Sequence, residues 1–89
     1  MNKACCPCCG FATLPEEYSW EICPVCFWED DGQSDADAHI VRGGPNGTLS
    51  LSQARKNFKT YGACEECFLN NVRPPSFEET AHRKIINEP

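Results

Sequence analysis

Two cysteine pairs hold most of the chemistry this chain could do: Cys6-Pro7-Cys8-Cys9-Gly10 and Cys23-Pro24-Val25-Cys26, with thirteen residues between Cys9 and Cys23. CxxC-x13-CxxC is the sequence form of a four-thiolate zinc site. A tetrahedral Zn²⁺ holds sulfurs at about 2.3 Å, and a pair three positions apart delivers two of them only if the backbone turns tightly between them. Pro7 and Pro24 pre-set that turn. Gly10 can take a positive φ, which lets backbone N–H groups point at the thiolates. The same argument selects among the crowded N-terminal thiols. Cys6/Cys9 has proline and glycine in place, whereas Cys5/Cys8 has proline one step late and cysteine where glycine belongs. The expected ligands are Cys6, Cys9, Cys23 and Cys26 around one Zn²⁺, although iron fits the same four-thiolate geometry.

Four cysteines remain. Cys8 could lie beside the metal, and Cys5 with Cys8 could join Cys64 and Cys67 in a second metal site. Crowding opposes two separate ions served from residues 5–9, since neighbouring Cα atoms are only about 3.8 Å apart. The plainer expectation is that Cys64 is a small buried apolar residue and Cys67 is free. As a redox pair, Cys64-Glu65-Glu66-Cys67 would gain from a helix N-terminus, but the two glutamates oppose thiolate formation and no βαβ pattern surrounds them. Four thiolates close a zinc site that catalysis would need open. His39 and His82 lack partners at metal-ligand spacing, and no phosphate loop or nucleophile triad is present. The chain is therefore expected not to be an enzyme.

Eight cysteines in 89 residues also match the density of secreted disulfide scaffolds. Met1-Asn2-Lys3-Ala4 runs straight into the first knuckle without an apolar signal segment, which points to a reducing cytoplasm and to metal rather than disulfides. No apolar run of about 18 residues suggests a membrane span.

The elements that must position these thiols follow from pattern. A chain this short buries only about 60% of its extended surface, so a structural zinc, at about 10–16 kcal/mol, would decide whether the knuckles fold. Residues 1–89 read as one domain. Within residues 5–30, Tyr18-Ser19-Trp20-Glu21-Ile22 alternates like a half-buried strand and is expected to pair with Phe11–Leu14 in a knuckle hairpin. Residues 31–49 read as loop, acidic at first and then rich in turn residues. In the helical part, residues 50–89, Ser50 and Gln53 have capping-box spacing. Leu51, Ala54, Phe58 and Tyr61 share a face and Gly62 suits a left-handed cap, which predicts a helix over 51–61. A second capping box, Ser76 to Glu79, predicts another helix with Phe77, Ala81 and Ile85 aligned and Arg83 and Lys84 at its end. The expected fold is small α+β: a zinc-ribbon or rubredoxin-like knuckle hairpin, an acidic loop, and one or two short helices.

The formal net charge is −5. Glu29, Asp30, Asp31, Asp35 and Asp37 fall within residues 29–39 without a cation, while Arg42, Arg55, Lys56 and Lys59 fall within 40–63 without an acid. Arg55, Lys56 and Lys59 on one helix make a solvated face, too sparse for the clustered cations that displace counterions from nucleic acid. Weak nucleic-acid binding is thus a lesser alternative. After the second knuckle, Phe27 and Trp28 are expected to cover the metal cluster. Trp28-Glu29-Asp30-Asp31 is the candidate surface for a basic protein partner.

The run Cys6-Pro7-Cys8-Cys9-Gly10, then Tyr18–Ile22 leading into Cys23-Pro24-Val25-Cys26-Phe27-Trp28-Glu29-Asp30-Asp31, then Gly44–Gly47 and Ser50–Phe58 through Gly62-Ala63, resembles the bacterial cysteine-rich CPCC domain family over roughly residues 5–75. The resemblance implies a bacterial, cytosolic, zinc-binding domain and no particular reaction. Small proteins of this sort can occur beside toxin systems, which suggests an immunity role by analogy. A non-catalytic module that binds a protein partner is the leading expectation. A thiol-redox or metal-responsive protein using Cys64 and Cys67 is the alternative.

Overall fold

A computed structural model describes residues 3–86. Two α-helices, α1 (Leu51–Tyr61) and α2 (Phe77–Ala81), and two 3₁₀ helices, Asp35–Asp37 and Glu66–Asn71, are joined by long irregular segments. Pairing of strand type among the described residues is confined to two antiparallel bridges, Ala4 with Leu14 and Ile22 with Glu29.

Each bridge closes one cysteine knuckle on itself, and the two knuckles repeat one hydrogen-bond pattern. Cys6 N donates to Phe11 O at 2.9 Å and Gly10 N to Cys6 O at 2.8 Å. At the same offsets Cys23 N donates to Trp28 O at 2.9 Å and Phe27 N to Cys23 O at 2.8 Å. The expected hairpin between Phe11–Leu14 and Tyr18–Ile22 does not form among the described residues. Tyr18 and Trp20 both hold φ at 58°, which breaks the extended backbone, and their side chains are 65% and 58% exposed. A nonlocal cause overrides the local alternation: Asp30 takes the backbone donors of this segment, as described below.

Helix α1 has the predicted bounds. Ser50 Oγ accepts from Gln53 N at 3.1 Å, and Gly62, with φ at 92°, ends the helix by donating to Phe58 O at 2.9 Å. Its buried face is Leu51, Ala54 and Arg55, while Phe58 packs at the edge against Phe11 with ring centroids 6.3 Å apart.

Helix α2 is shorter than expected. The Ser76–Glu79 capping box forms, but Phe77 is 87% and Ile85 60% exposed, so the aligned apolar face does not exist. Beyond Ala81 the chain leaves the helix to dock on the first knuckle. Lys84 N donates to Gly10 O at 2.7 Å and the Arg83 guanidinium lies 5.8 Å from the Phe11 ring centre. These contacts, with Ala12 N donating to Glu79 O at 3.2 Å and Arg73 N to Pro24 O at 3.1 Å, tie the C-terminal arm to both knuckles.

Five of the eleven residues in the buried cluster are cysteines: Cys6, Cys8, Cys23, Cys26 and Cys64. The cysteine cluster is thus the centre of the core, with Leu14, Val25, Trp28, Leu51 and Ala54 packed around it. No helix among the described residues is long and apolar enough to cross a membrane.

Candidate metal centre

Cys6, Cys9, Cys23 and Cys26 converge, with their Sγ atoms all within 4.8 Å of one another. Cys6 and Cys26 Sγ are 3.6 Å apart, and Cys9 and Cys23 Sγ 3.7 Å apart. A tetrahedron with bonds of about 2.3 Å has edges of about 3.8 Å, whereas a disulfide would place the sulfurs at about 2.05 Å. The spacing is that of four ligands around one ion. Three of the four thiols are fully buried and Cys9 is half-buried.

The electrostatics of the bare thiols point the same way. Burial pushes Cys6 and Cys26 well above the ordinary thiol range, and hydrogen bonding to Cys23 drives Cys9 up. Cys23 is held far down because Cys26, Cys6, Cys9 and Thr13 all bond to it. Thiolates packed this closely repel one another, and a divalent cation is the group whose charge would let all four ionise together. Thr13 Oγ1 lies 3.1 Å from Cys23 Sγ, and Val25 N donates to that sulfur at 3.4 Å.

Each knuckle is also held from outside. Pro7 O accepts from Arg55 Nε at 2.9 Å, while Pro24 O accepts from Arg73 N at 3.1 Å. Gly10, with φ at 84°, sits where a Cβ would strike Lys84 O, so this position needs glycine both for its backbone and for the arm packed on it. Phe27 occupies the equivalent place in the second knuckle with φ at 73° and stacks on Phe68, ring centroids 4.7 Å apart.

The remaining thiols separate. Cys8 is buried, and it is close enough to Cys64 to help raise that thiol's pKa. Cys64 is buried, donates its N–H to Cys26 O at 2.7 Å, and its thiol is pushed up to about 12, chiefly by burial. Cys67 is exposed, and Cys5 Sγ points to His82 O at 3.2 Å. Among the described residues the four-cysteine group is the one cluster of potential metal ligands, so Cys5, Cys8, Cys64 and Cys67 do not assemble a second site. A thiol raised to about 12 is also a poor redox nucleophile at neutral pH.

Two sequence expectations are corrected. The Trp28–Asp31 segment does not form an acidic face: Trp28, Asp30 and Asp31 are buried and Glu29 is half-buried. Trp28 packs into the cluster as anticipated, but the aspartates cap turns, Asp30 Oδ1 accepting from Gly32 N at 3.3 Å and Asp31 Oδ1 from Gln33 N at 3.0 Å. The cationic face of α1 is also incomplete, because Arg55 is buried beneath the first knuckle and pairs with Asp35 at 2.7 Å. Arg55 lies one turn after Leu51, a spacing that placed it on the apolar face from the start. Thr13 carried no comparable signal.

A family model described as Cysteine-rich CPCC matches residues 4–79. No curated protein and no solved structure matches the chain.

Proposed function

The chain belongs to the cysteine-rich CPCC family, and from that premise and its buried four-thiol centre we propose that it is a zinc-binding, non-catalytic protein-interaction module. The Cys6, Cys9, Cys23 and Cys26 tetrahedron carries the reading. Four thiolates fill the shell of Zn²⁺ and leave no position for an activated water or a substrate. Zinc is favoured over ferrous iron because a given thiolate site binds it more tightly and it imposes no geometry beyond the one the chain supplies. The proposed compartment is the cytoplasm of a bacterium, where thiols stay reduced.

Function then lies in what the metal holds still. Both knuckles, the C-terminal arm and α1 meet at the cluster, so one ion fixes the surface of a small chain that apolar burial alone would leave marginal. The narrowest form of the proposal is an immunity protein covering a toxin surface shaped for nucleic acid. It is tested by crosslinking the zinc-loaded chain in its source cells and identifying what it holds. The expected result is one partner, lost in Cys23→Ser and kept when Cys64→Ser and Cys67→Ser are combined. Retention of the partner by Cys23→Ser, or reversible oxidation of Cys64 and Cys67 with zinc retained, would contradict the reading.

A further inference from the structure

Residues 4–41 contain eight acids and no lysine or arginine, against five acids and eight cations in the rest of the chain. Much of that acid is used internally. Asp30 and Asp31 are buried, Asp35 pairs with Arg55, and Asp37 with Arg42, both at 2.7 Å. Glu29 is half-buried, and its backbone is clamped on both sides by Asn46, at 3.1 Å and 2.9 Å. Glu16, Glu17 and Glu21 are what remains: all exposed, with no ion pair among the described residues. They bracket Tyr18 and Trp20 on an arch spanning residues 15–22.

Both rings are exposed, and both sit on left-handed backbone that side chains with a Cβ rarely adopt. Their burial does not offset that strain, and Asp30 holds it in place. Asp30 Oδ2 accepts from Ser19 N at 3.1 Å, Asp30 O from Trp20 N at 3.2 Å, and Asp30 N donates to Glu21 O at 3.0 Å. The Ile22–Glu29 bridge then ties the arch to the metal-bearing second knuckle. Strain maintained by a buried anchor, with the strained side chains in water, is the pattern of a recognition site.

The arch also borders a cavity of about 640 Å³, lined by Glu17, Tyr18, Gln33, Asp35, Arg55 and Lys84 among others. The Tyr18 ring packs against Gly32 at its edge. Gln33 is buried, and its Nε2 donates to Asp37 O at 3.0 Å and Ile40 O at 2.7 Å, which fixes the amide and leaves Oε1 an acceptor without a partner. Of that lining, Arg55 is paired with Asp35, while Glu17 and the Tyr18 ring are exposed to an incoming ligand. Exposed ring faces beside unpaired carboxylates call for a cationic partner.

We propose that the arch 15–22 is the docking surface of this module and that its occupant is a basic polypeptide segment. Lysine or arginine side chains of that segment stack on Tyr18 and Trp20 and pair with Glu16, Glu17 and Glu21. This assignment rests on the protein-interaction reading above. It moves the surface from Trp28–Asp31 to the neighbouring loop that Asp30 supports.

The test is an NMR titration of the zinc-loaded full chain with a synthetic peptide alternating arginine, lysine and glycine, and with the same peptide carrying glutamates in place of the cations. The basic peptide should shift amides at residues 16–22 and 32–33, and the acidic one should not. Trp20→Ala, which leaves the charge untouched, should weaken binding about tenfold, as should combined Glu16→Gln, Glu17→Gln and Glu21→Gln. Trp20 is exposed, so the variant's zinc content and spectrum serve as its folding control. Undiminished binding by Trp20→Ala, shifts centred on Glu65 and Glu66, or no shifts at all would each overturn the assignment. None of these touches the interaction reading, which fails on a different result, retention of the partner by Cys23→Ser.

Discussion

The two knuckles share one hydrogen-bond pattern but solve the same backbone problem differently. Each has a left-handed residue directly after its second cysteine: Gly10 in the first knuckle, Phe27 in the second. At Gly10 the space for a side chain is taken by Lys84 O of the C-terminal arm. At Phe27 that side is open and the ring finds Phe68. The CxxC turn thus sets the local geometry, and what packs on each knuckle from far along the chain decides which residue suits it.

The comparison is broken most severely at the ligands. Cys9→Ser and Cys23→Ser, one from each knuckle, should both abolish metal binding and unfold the chain, removing on the order of 10–16 kcal/mol. Circular dichroism and metal analysis would show it, and a folded, metal-loaded variant of either would mean the knuckles do not share one ion. Next in size is Gly10→Ala, which combines left-handed strain with a collision against backbone and should cost about 2–3 kcal/mol or more in denaturant unfolding. Phe27→Ala should cost about 1–2 kcal/mol through lost ring packing. Phe27→Gly separates the two effects. Glycine there relieves about 1 kcal/mol of strain, so it should be no worse than alanine, opposite to the usual ranking. An equal cost for Gly10→Ala and Phe27→Ala would show that the arm is not packed as described.

The arm itself gives a smaller, pH-dependent effect. Arg73 holds Glu79 by two bonds, at 2.9 Å and 2.8 Å, and lowers its pKa from 4.5 to about 2. A lowered folded-state pKa stabilises above the unfolded value, so the contribution is complete above about pH 4.5 and fades as pH falls towards about 2. Arg73 is half exposed, which screens the pair to on the order of 1–2 kcal/mol. The stability difference between the native chain and Glu79→Gln should therefore shrink across that window, a difference measurement that cancels the acid sensitivity of the thiolates. A constant difference would remove the ion pair from the account. Smallest of all, Asp37→Asn breaks an exposed pair with Arg42 and should leave the melting midpoint where it was.

Local signals proved legible where the chain obeys them. Proline and glycine positions chose Cys6 and Cys9 over Cys5 and Cys8, and the structure brings together the four cysteines so chosen. Ser50 and Gly62 bounded α1 at its observed ends. What was not legible came from distant partners. The alternation of Tyr18–Ile22 reads as strand until Asp30 takes its donors, and residues 82–85 continue a helical pattern until Gly10 and Phe11 capture them. Charge was misread for the same reason. Asp30, Asp31 and Arg55 look like solvent-facing groups in sequence, but each is buried: Asp30 accepts from Ser19 N and Arg55 donates to Pro7 O across the fold, while Asp31 caps its own turn at Gln33 N.

The central claim is that one metal ion joins the two knuckles through Cys6, Cys9, Cys23 and Cys26. Native mass spectrometry of freshly purified, reduced protein, read beside total metal analysis and repeated on Cys8→Ser and Cys64→Ser, tests it most directly. One zinc per chain, unchanged in both variants, is the predicted result. Two ions, metal lost from either variant, or a metal-free chain with paired disulfides would contradict it.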